Sequence, residues 1–325
     1  MTIIKPPVFL HRFSMIKIAL LSLIFLSTIF AQEGAEGKSP GFFYFWSFSR
    51  VWVSVIFVII GMILLMKFRL IRTTRLIWQS ITFFVFSVIA ILPWGSFAQG
   101  LGLHPSPSCL LTKPVLWHEI PLGFISIIVS ILILSIIGSK LFCGWVCPLG
   151  ALQGVINGIS FGRENNKKLK KKIQFKVTNT IRIIIAVVFL PVAFYAGISL
   201  YDYFNPFEFL HWGFDLYLAG VMIVTLLMSL FIYRPFCYFI CPMGLITWMV
   251  EQAAIFKIRF HKPACTNCNI CIRKTECPTV QAIMDMKTIR PDCHACGRCI
   301  EVCPENALKF GRWKRAAGTI PYTPK

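Results

Sequence analysis

Acidic side chains are scarce in this chain: 13 Asp and Glu stand against 33 Lys and Arg in 325 residues. Charged residues of both signs make up only 14%, where an ordinary soluble domain has about 25%. A solvated globular surface is hard to cover from that supply. There is no phosphate-binding glycine loop and no nucleophile–base arrangement, which argues against NTPase and hydrolase chemistry. The C-x-x-C-H haem attachment motif is missing too. In their place stand 56% hydrophobic residues and 13 cysteines.

The hydrophobic residues fall into runs. Crossing a hydrocarbon layer takes about 20 apolar residues. Such runs lie at 51–66 (with an aromatic lead-in from Phe42), 76–93, 120–141, 180–200 and 214–233. A further stretch, 16–31, follows Lys5, Arg12 and Lys17 and ends in Ile29-Phe30-Ala31. It has the pattern of a secretory signal peptide, or of a signal anchor if retained. Basic residues cluster after the first run (Lys67, Arg69, Arg72, Arg75) and between Arg163 and Lys176, whereas the outer loops carry Lys38 and Lys113. The positive-inside rule then puts both basic connections and the C-terminal tail in the cytoplasm of a bacterial inner membrane protein. The net charge of +20 is accounted for by topology and anionic lipid heads, with no nucleic acid required.

Eight cysteines form two runs in that tail. The first is Cys265-x2-Cys268-x2-Cys271-x5-Cys277-Pro278, and the second is Cys293-x2-Cys296-x2-Cys299-x3-Cys303-Pro304. Three thiolates within seven residues wrap one corner of an iron–sulfur cube, and the fourth, set before proline, reaches the neighbouring cube. By this logic Cys265, Cys268, Cys271 and Cys303 hold one [4Fe–4S] cluster, and Cys277, Cys293, Cys296 and Cys299 hold the other. Structural zinc is the alternative, but it usually takes two C-x2-C pairs from separate knuckles. The five-residue gap before Cys277 departs from the usual three. A reducing cytoplasm leaves these thiols free to bind metal.

The membrane part contains a repeat. Lys140-Leu-Phe-Cys143-Gly-Trp-Val-Cys147-Pro148-Leu-Gly150 matches Arg234-Pro-Phe-Cys237-Tyr-Phe-Ile-Cys241-Pro242-Met-Gly244, 94 residues on. Each motif follows an apolar run and, further back, a run ending in Leu-Pro, so a two-helix hairpin is repeated in parallel orientation. A spacing of four puts each cysteine pair on one face of a helical turn. The four thiols are a candidate third metal or cluster site, or a dithiol–disulfide couple; buried small hydrophobes are the plain alternative.

Two C-x3-C-P motifs on such a repeat, followed by a two-cluster module, resemble the NapH family over residues 76–310. That family comprises membrane iron–sulfur proteins linked to quinol oxidation in periplasmic nitrate reduction. NosH-type, NosR-type, methylamine-utilisation and CcoG-type proteins are its relatives. The resemblance implies an electron-transfer subunit that draws on the quinone pool and serves a partner redox protein (ferredoxin-type, cytochrome or periplasmic reductase). Only about a dozen residues separate Ala31 from Phe42, so the flavin-binding domain of NosR-type relatives is not expected. The fold expected is a polytopic α-helical membrane protein, a parallel repeat of two-helix hairpins, with a C-terminal cytoplasmic α+β two-[4Fe–4S] ferredoxin-like domain. Its segments are 1–31 (signal peptide or anchor), 42–75 (first span and basic connection), 76–256 (hairpin repeat) and 257–325 (ferredoxin-like domain).

On the outer side His118-Glu119 precedes the third apolar run, and Glu208 with His211 precedes the fifth. A histidine–carboxylate pair there is a candidate acceptor of quinol protons; a solvated interfacial belt beside Trp117 and Trp212 is the alternative. Cys109, with His104 in the same loop, is a candidate for a metal or a partner disulfide, or an incidental thiol. Two further functions use the same features: a CcoG-type factor that reduces a metal ion for insertion, and a non-redox membrane anchor for a soluble partner.

Overall fold

The computed structural model describes residues 44–312 apart from 68–70, 93–94, 103–105, 161–172, 211–214, 276 and 288. The segment 1–31, His104, His211, Trp212 and the residues beyond 312 therefore lie outside the described residues.

The apolar runs become helices. Helix α1 spans Ser49–Lys67 and α2 spans Arg72–Phe83, continued by a π turn at Phe84–Val88 and a 3-10 turn at Ile89–Ile91. The short α3 (Gly95–Gln99) and α4 (Cys109–Trp117) follow. Then come α5 (Leu122–Gly138), α6 (Leu141–Trp145), α7 (Pro148–Ser160) and α8 (Phe175–Ala196). After the short α9 (Leu200–Tyr203) and α10 (Pro206–Leu210), the series is completed by α11 (Leu216–Phe231), α12 (Pro235–Phe239) and α13 (Pro242–Glu251).

Among the described residues three helices are long and apolar enough to cross a membrane: Ser49–Met66, Arg72–Ile91 and Phe175–Ala196. Leu122–Gly138 and Leu216–Phe231 are apolar but shorter. Their outward faces are not made for water. Ile184 and Val187 on α8, and Ile223, Val224 and Leu227 on α11, are each more than half exposed. Patches of this kind are costly in water and natural against acyl chains. Buried hydroxyls inside the helices bond back to their own backbone, as Ser135 does to Ile131 O (2.9 Å) and Ser229 to Thr225 O (2.7 Å).

The order α5-α6-α7 recurs as α11-α12-α13, and the two sets pack reciprocally. Helix α7 lies on α11, and α13 lies on α5; likewise α2 meets α7 as α8 meets α13. This brings both C-x3-C-P turns to the middle of the molecule.

The tail is closed by an antiparallel pair, β1 (Phe256–Phe260) with β2 (Leu308–Arg312), in which Ile258 faces Phe310. Between the strands lie α14 (Ile270–Arg273), α15 (Thr279–Met284) and α16 (Arg298–Glu301). Ile258, Ile283, Met284 and Leu308 are buried to 2% exposure or less and form the core of this small unit. It sits on the membrane part through specific bonds. Trp145 Nε1 donates to Ala295 O (3.0 Å), Lys140 N to Cys293 O (3.3 Å) and Arg298 to Asn157 Oδ1 (2.8 Å), and Arg75 pairs with Glu301. Gly144 is required here, because a Cβ at that position would run into the backbone carbonyl of His294.

Candidate metal centres

Each tail run curls around a point. Asn267 and Asn269 have left-handed backbone (φ 57° and 54°), and so do their counterparts Ala295 and Gly297 (46° and 73°). Asn and Gly adopt that conformation readily, whereas Ala295 does so at a cost that its surroundings must hold in place. Left-handed turns of this kind build the N–H-lined concavities that favour an anion. The third cysteine of each run, Cys271 or Cys299, then starts a helical turn.

The two runs exchange their last cysteines. A small pocket is lined by Cys265, Cys268, Cys271 and Cys303, with Met284 and Ala307 among its walls. Ala307 N donates to the Cys303 sulfur at 3.3 Å. Cys277 keeps company with the second run. Burial pushes the Cys299 thiol well above its usual pKa, and Cys277, Cys293 and Cys296 push it further. Cys296 goes the other way: burial raises it, but Arg298, Arg75 and Arg234 outweigh that and hold it below the usual thiol value. Protonated thiols must release protons to ligate, so metal loading here is favoured as pH rises. Among the described residues no three Cys, His, Asp or Glu groups meet closely enough to share one metal ion. A cluster takes each thiolate at a different iron, at its own corner.

The C-x3-C-P segments depart from a continuous helical turn. Helix α6 ends at Trp145 and α12 at Phe239, and a new helix begins at the proline. The physical reason is that a residue preceding proline is pushed out of helical conformation. Both breaks are built alike: Val146 N and Cys147 N donate to Phe142 O, and Ile240 N and Cys241 N donate to Phe236 O. Cys147 and Cys241 thereby sit at the start of the next helix, each receiving backbone N–H bonds, from Leu149 and Gly150 or from Met243 and Gly244. Cys143, Cys147 and Cys241 lie within electrostatic reach of Cys237.

Around them stand groups that sequence reasoning passed over. Lys140, Arg182 and Arg234 are buried to 1% exposure or less. Arg234 donates to Cys143 O (2.6 Å) and Gly144 O (3.2 Å), and Arg182 donates to Cys237 O (3.2 Å). Lys140 donates to Gly244 O (2.7 Å) and pairs with the buried Asp292, which also faces Arg182 at 3.0 Å. An arginine inside the apolar 180–200 run, and a cation three residues ahead of each first cysteine, were the available signals.

The outer candidates are placed differently. His118 ends α4 in left-handed backbone and packs on the Phe194 ring at 4.5 Å, while Glu119 is exposed. Glu208 accepts from Asn205 (3.2 Å) and from the Cys109 thiol (3.4 Å). Cys109 is only 2% exposed, and burial raises its pKa to about 12. It lies in a polar cluster with Ser106 and Asn205.

Comparison with known proteins bears on the same segments. A model described as a 4Fe-4S binding domain matches residues 120–176 and 214–263, once for each C-x3-C-P segment, and another of the same description matches 288–309. The first tail run, 265–277, lies outside both matches. The chain is 27% identical over 203 residues to the ferredoxin-type protein NapH of Haemophilus influenzae, covering 58% of this chain and 68% of that one. It is 27% identical over 212 residues to the putative electron transport protein YccM of Escherichia coli, covering 59% and 56%. It is 26% identical over 260 residues to the regulatory protein NosR of Pseudomonas aeruginosa, covering 74% and 35%. No solved structure matches.

Proposed function

We propose that this chain, which is similar to NapH-type ferredoxin proteins, is a quinol-linked electron carrier, passing single electrons through two tail [4Fe–4S] clusters to a partner reductase. Cys265, Cys268, Cys271 and Cys303 hold one cluster, and Cys277, Cys293, Cys296 and Cys299 hold the other. The observation that carries this reading is the exchange of Cys303 into the cavity of the first run, together with the grouping of Cys277 with the second. The clusters supply reversible one-electron chemistry when bound. This chain's own part is to keep the two sets adjacent and dry.

The reciprocal packing of α5–α7 with α11–α13 supports a parallel hairpin repeat, with both C-x3-C-P turns and the tail on the cytoplasmic side of a multi-pass protein. Quinol, which yields two electrons and two protons, is oxidised at the membrane and its electrons leave one at a time. Metal-ion reduction of the CcoG type needs thiols open to an incoming ion. Cys147 and Cys241 are at most 9% exposed and Cys143 and Cys237 are half-buried, so an ion would meet only a partial opening.

The test is an anaerobic redox titration of the full chain in lipid, followed by EPR, with and without a menaquinol analogue. Reduced analogue should bring up both tail cluster signals. If dithionite reduces them and the quinol does not, the quinol link is wrong.

A further inference from the structure

The two halves of the tail carry opposite charge at equivalent places. In each run the third cysteine is followed by isoleucine and then by a charged residue: Ile272-Arg273 after Cys271, and Ile300-Glu301 after Cys299. Arg273 ends α14 as Glu301 ends α16. Glu301 pairs with Arg75 in the first turn of α2 and so helps to seat the second run on the membrane part. Arg273 is exposed and donates to Cys268 O (2.8 Å) of its own run. It makes no ion pair among the described residues. The five-residue gap that sets the first run apart also carries Lys274, exposed beside it.

The first run is also the open one. The second run is tied to the membrane part through Cys293, Ala295 and Arg298, whereas Arg273 and Thr275 bond to carbonyls of the first run itself. Cys265 and Cys268 are half-buried, and Thr266, Pro304 and Glu305 on the rim of their pocket are exposed. A cluster held there has an edge towards water. Lys262, exposed, stands one turn before Cys265, whose N–H donates to Lys262 O at 3.0 Å. Further along the strands Arg259 and Lys309 lie directly opposite each other, both exposed. Like charges in that relation are destabilising unless something anionic answers them. The rim's own carboxylate, Glu305, is one against these five cations. The topology rule calls for cations beside membrane spans, not around the mouth of a cofactor site.

We infer that this face docks a soluble one-electron carrier with an acidic surface. Lys262, Arg273 and Lys274 make the contact over the first-run cluster, and Arg259 and Lys309 steer the approach. Redox encounters use small interfaces, and charge complementarity sets their rate and register more than buried area does. The inversion between the halves favours a protein over a lipid surface as the occupant. The position that meets a protein surface in one half, Glu301 on Arg75, is free in the other with the opposite sign. In the exchange the carrier loses one electron and the cluster gains one, or the reverse; no bond is made or broken and no proton moves.

This inference rests on the two-cluster reading for the electron exchanged, but not for the binding. The probe is an acidic flavodoxin, and the full chain is held in nanodiscs of phosphatidylcholine. Surface plasmon resonance should show oxidised flavodoxin binding at about 20 mM salt and at least ~10-fold more weakly at about 300 mM. Replacing Lys262, Arg273 and Lys274 together by glutamate should weaken binding at least ~10-fold at low salt and little at high salt. Reduced flavodoxin should bleach the clusters' visible absorption, more slowly in the triple variant by a similar factor. The methyl viologen radical, a small cation, should bleach that variant at least as fast as wild type, which shows that its clusters are in place. If the triple variant loses its clusters, Arg273→Glu alone takes its place. Wild-type protein that binds no flavodoxin at low salt, or binds it equally at high salt, overturns the proposal without any variant. So does binding that vanishes when phosphatidylserine is added to the disc, because the cations then belong to lipid. Salt-sensitive binding to a chain whose clusters no quinol reduces keeps this surface and sinks the quinol link; quinol-reducible clusters with no flavodoxin bound do the reverse.

Discussion

Replacing Gly144 by alanine tests how the tail is seated. The added Cβ would fall on the His294 carbonyl oxygen and 3.2 Å from its carbon, and both are backbone atoms, so no side-chain rotation relieves the clash. The 293–296 loop has to withdraw. With it go the Trp145 Nε1–Ala295 bond (3.0 Å) and the Lys140 N–Cys293 O bond (3.3 Å). Each is worth about 1 kcal/mol net, and overpacking at a backbone contact costs roughly 1–3 kcal/mol. A loss of about 3 kcal/mol or more of docking energy corresponds to on the order of a hundredfold more opening of the tail from the membrane part. The repeat offers a control: Tyr238 occupies the equivalent place in α12, so the helical turn itself tolerates a side chain there. Hydrogen exchange read by mass spectrometry should show residues 293–298 opening roughly a hundredfold more often, with tail iron unchanged. If exchange in that loop is the same with alanine at 144, the docking described here is wrong.

Three other outcomes are expected. Cys277→Ser should degrade the EPR signal of the cluster held by Cys293, Cys296 and Cys299 and leave the Cys265 set intact; loss of the Cys265 set instead would reverse the ligand assignment. Asp292→Asn keeps the side chain's shape but strips Lys140 and Arg182 of their carboxylate, which for a buried pair costs about 3–5 kcal/mol; thermal unfolding in detergent that differs by less than a degree would contradict it. A reporter fused after Gly162 should read as cytoplasmic, and a periplasmic signal would overturn the orientation and the electron route with it.

Some of this could be read from the chain alone, because it depends on local order. Apolar runs of sufficient length have few options other than helices, and the observed bounds fall within a few residues of the expected ones: 51–66 became Ser49–Lys67, and 214–233 became Leu216–Phe231. The thiol spacing was equally legible, since three cysteines in seven residues constrain one short loop whatever surrounds it. Even the break after each C-x3 segment was implicit in Pro148 and Pro242, although a continuous helical turn was expected there.

Long-range packing decided the rest. Whether Cys303 reaches the first run depends on a turn between distant strands, and whether cysteine pairs 94 residues apart come within electrostatic reach depends on how α5–α7 seat against α11–α13. Cys109, a candidate for a metal or a partner disulfide by sequence, lies buried beside Glu208. The buried charges were the least visible of all. A lysine at 140, arginines at 182 and 234 and an aspartate at 292 carry no common motif, and each alone reads as a helix flank or a loop charge. Only the fold carries them out of water into one place, where the low dielectric strengthens the pairing of Asp292 with Lys140 and Arg182.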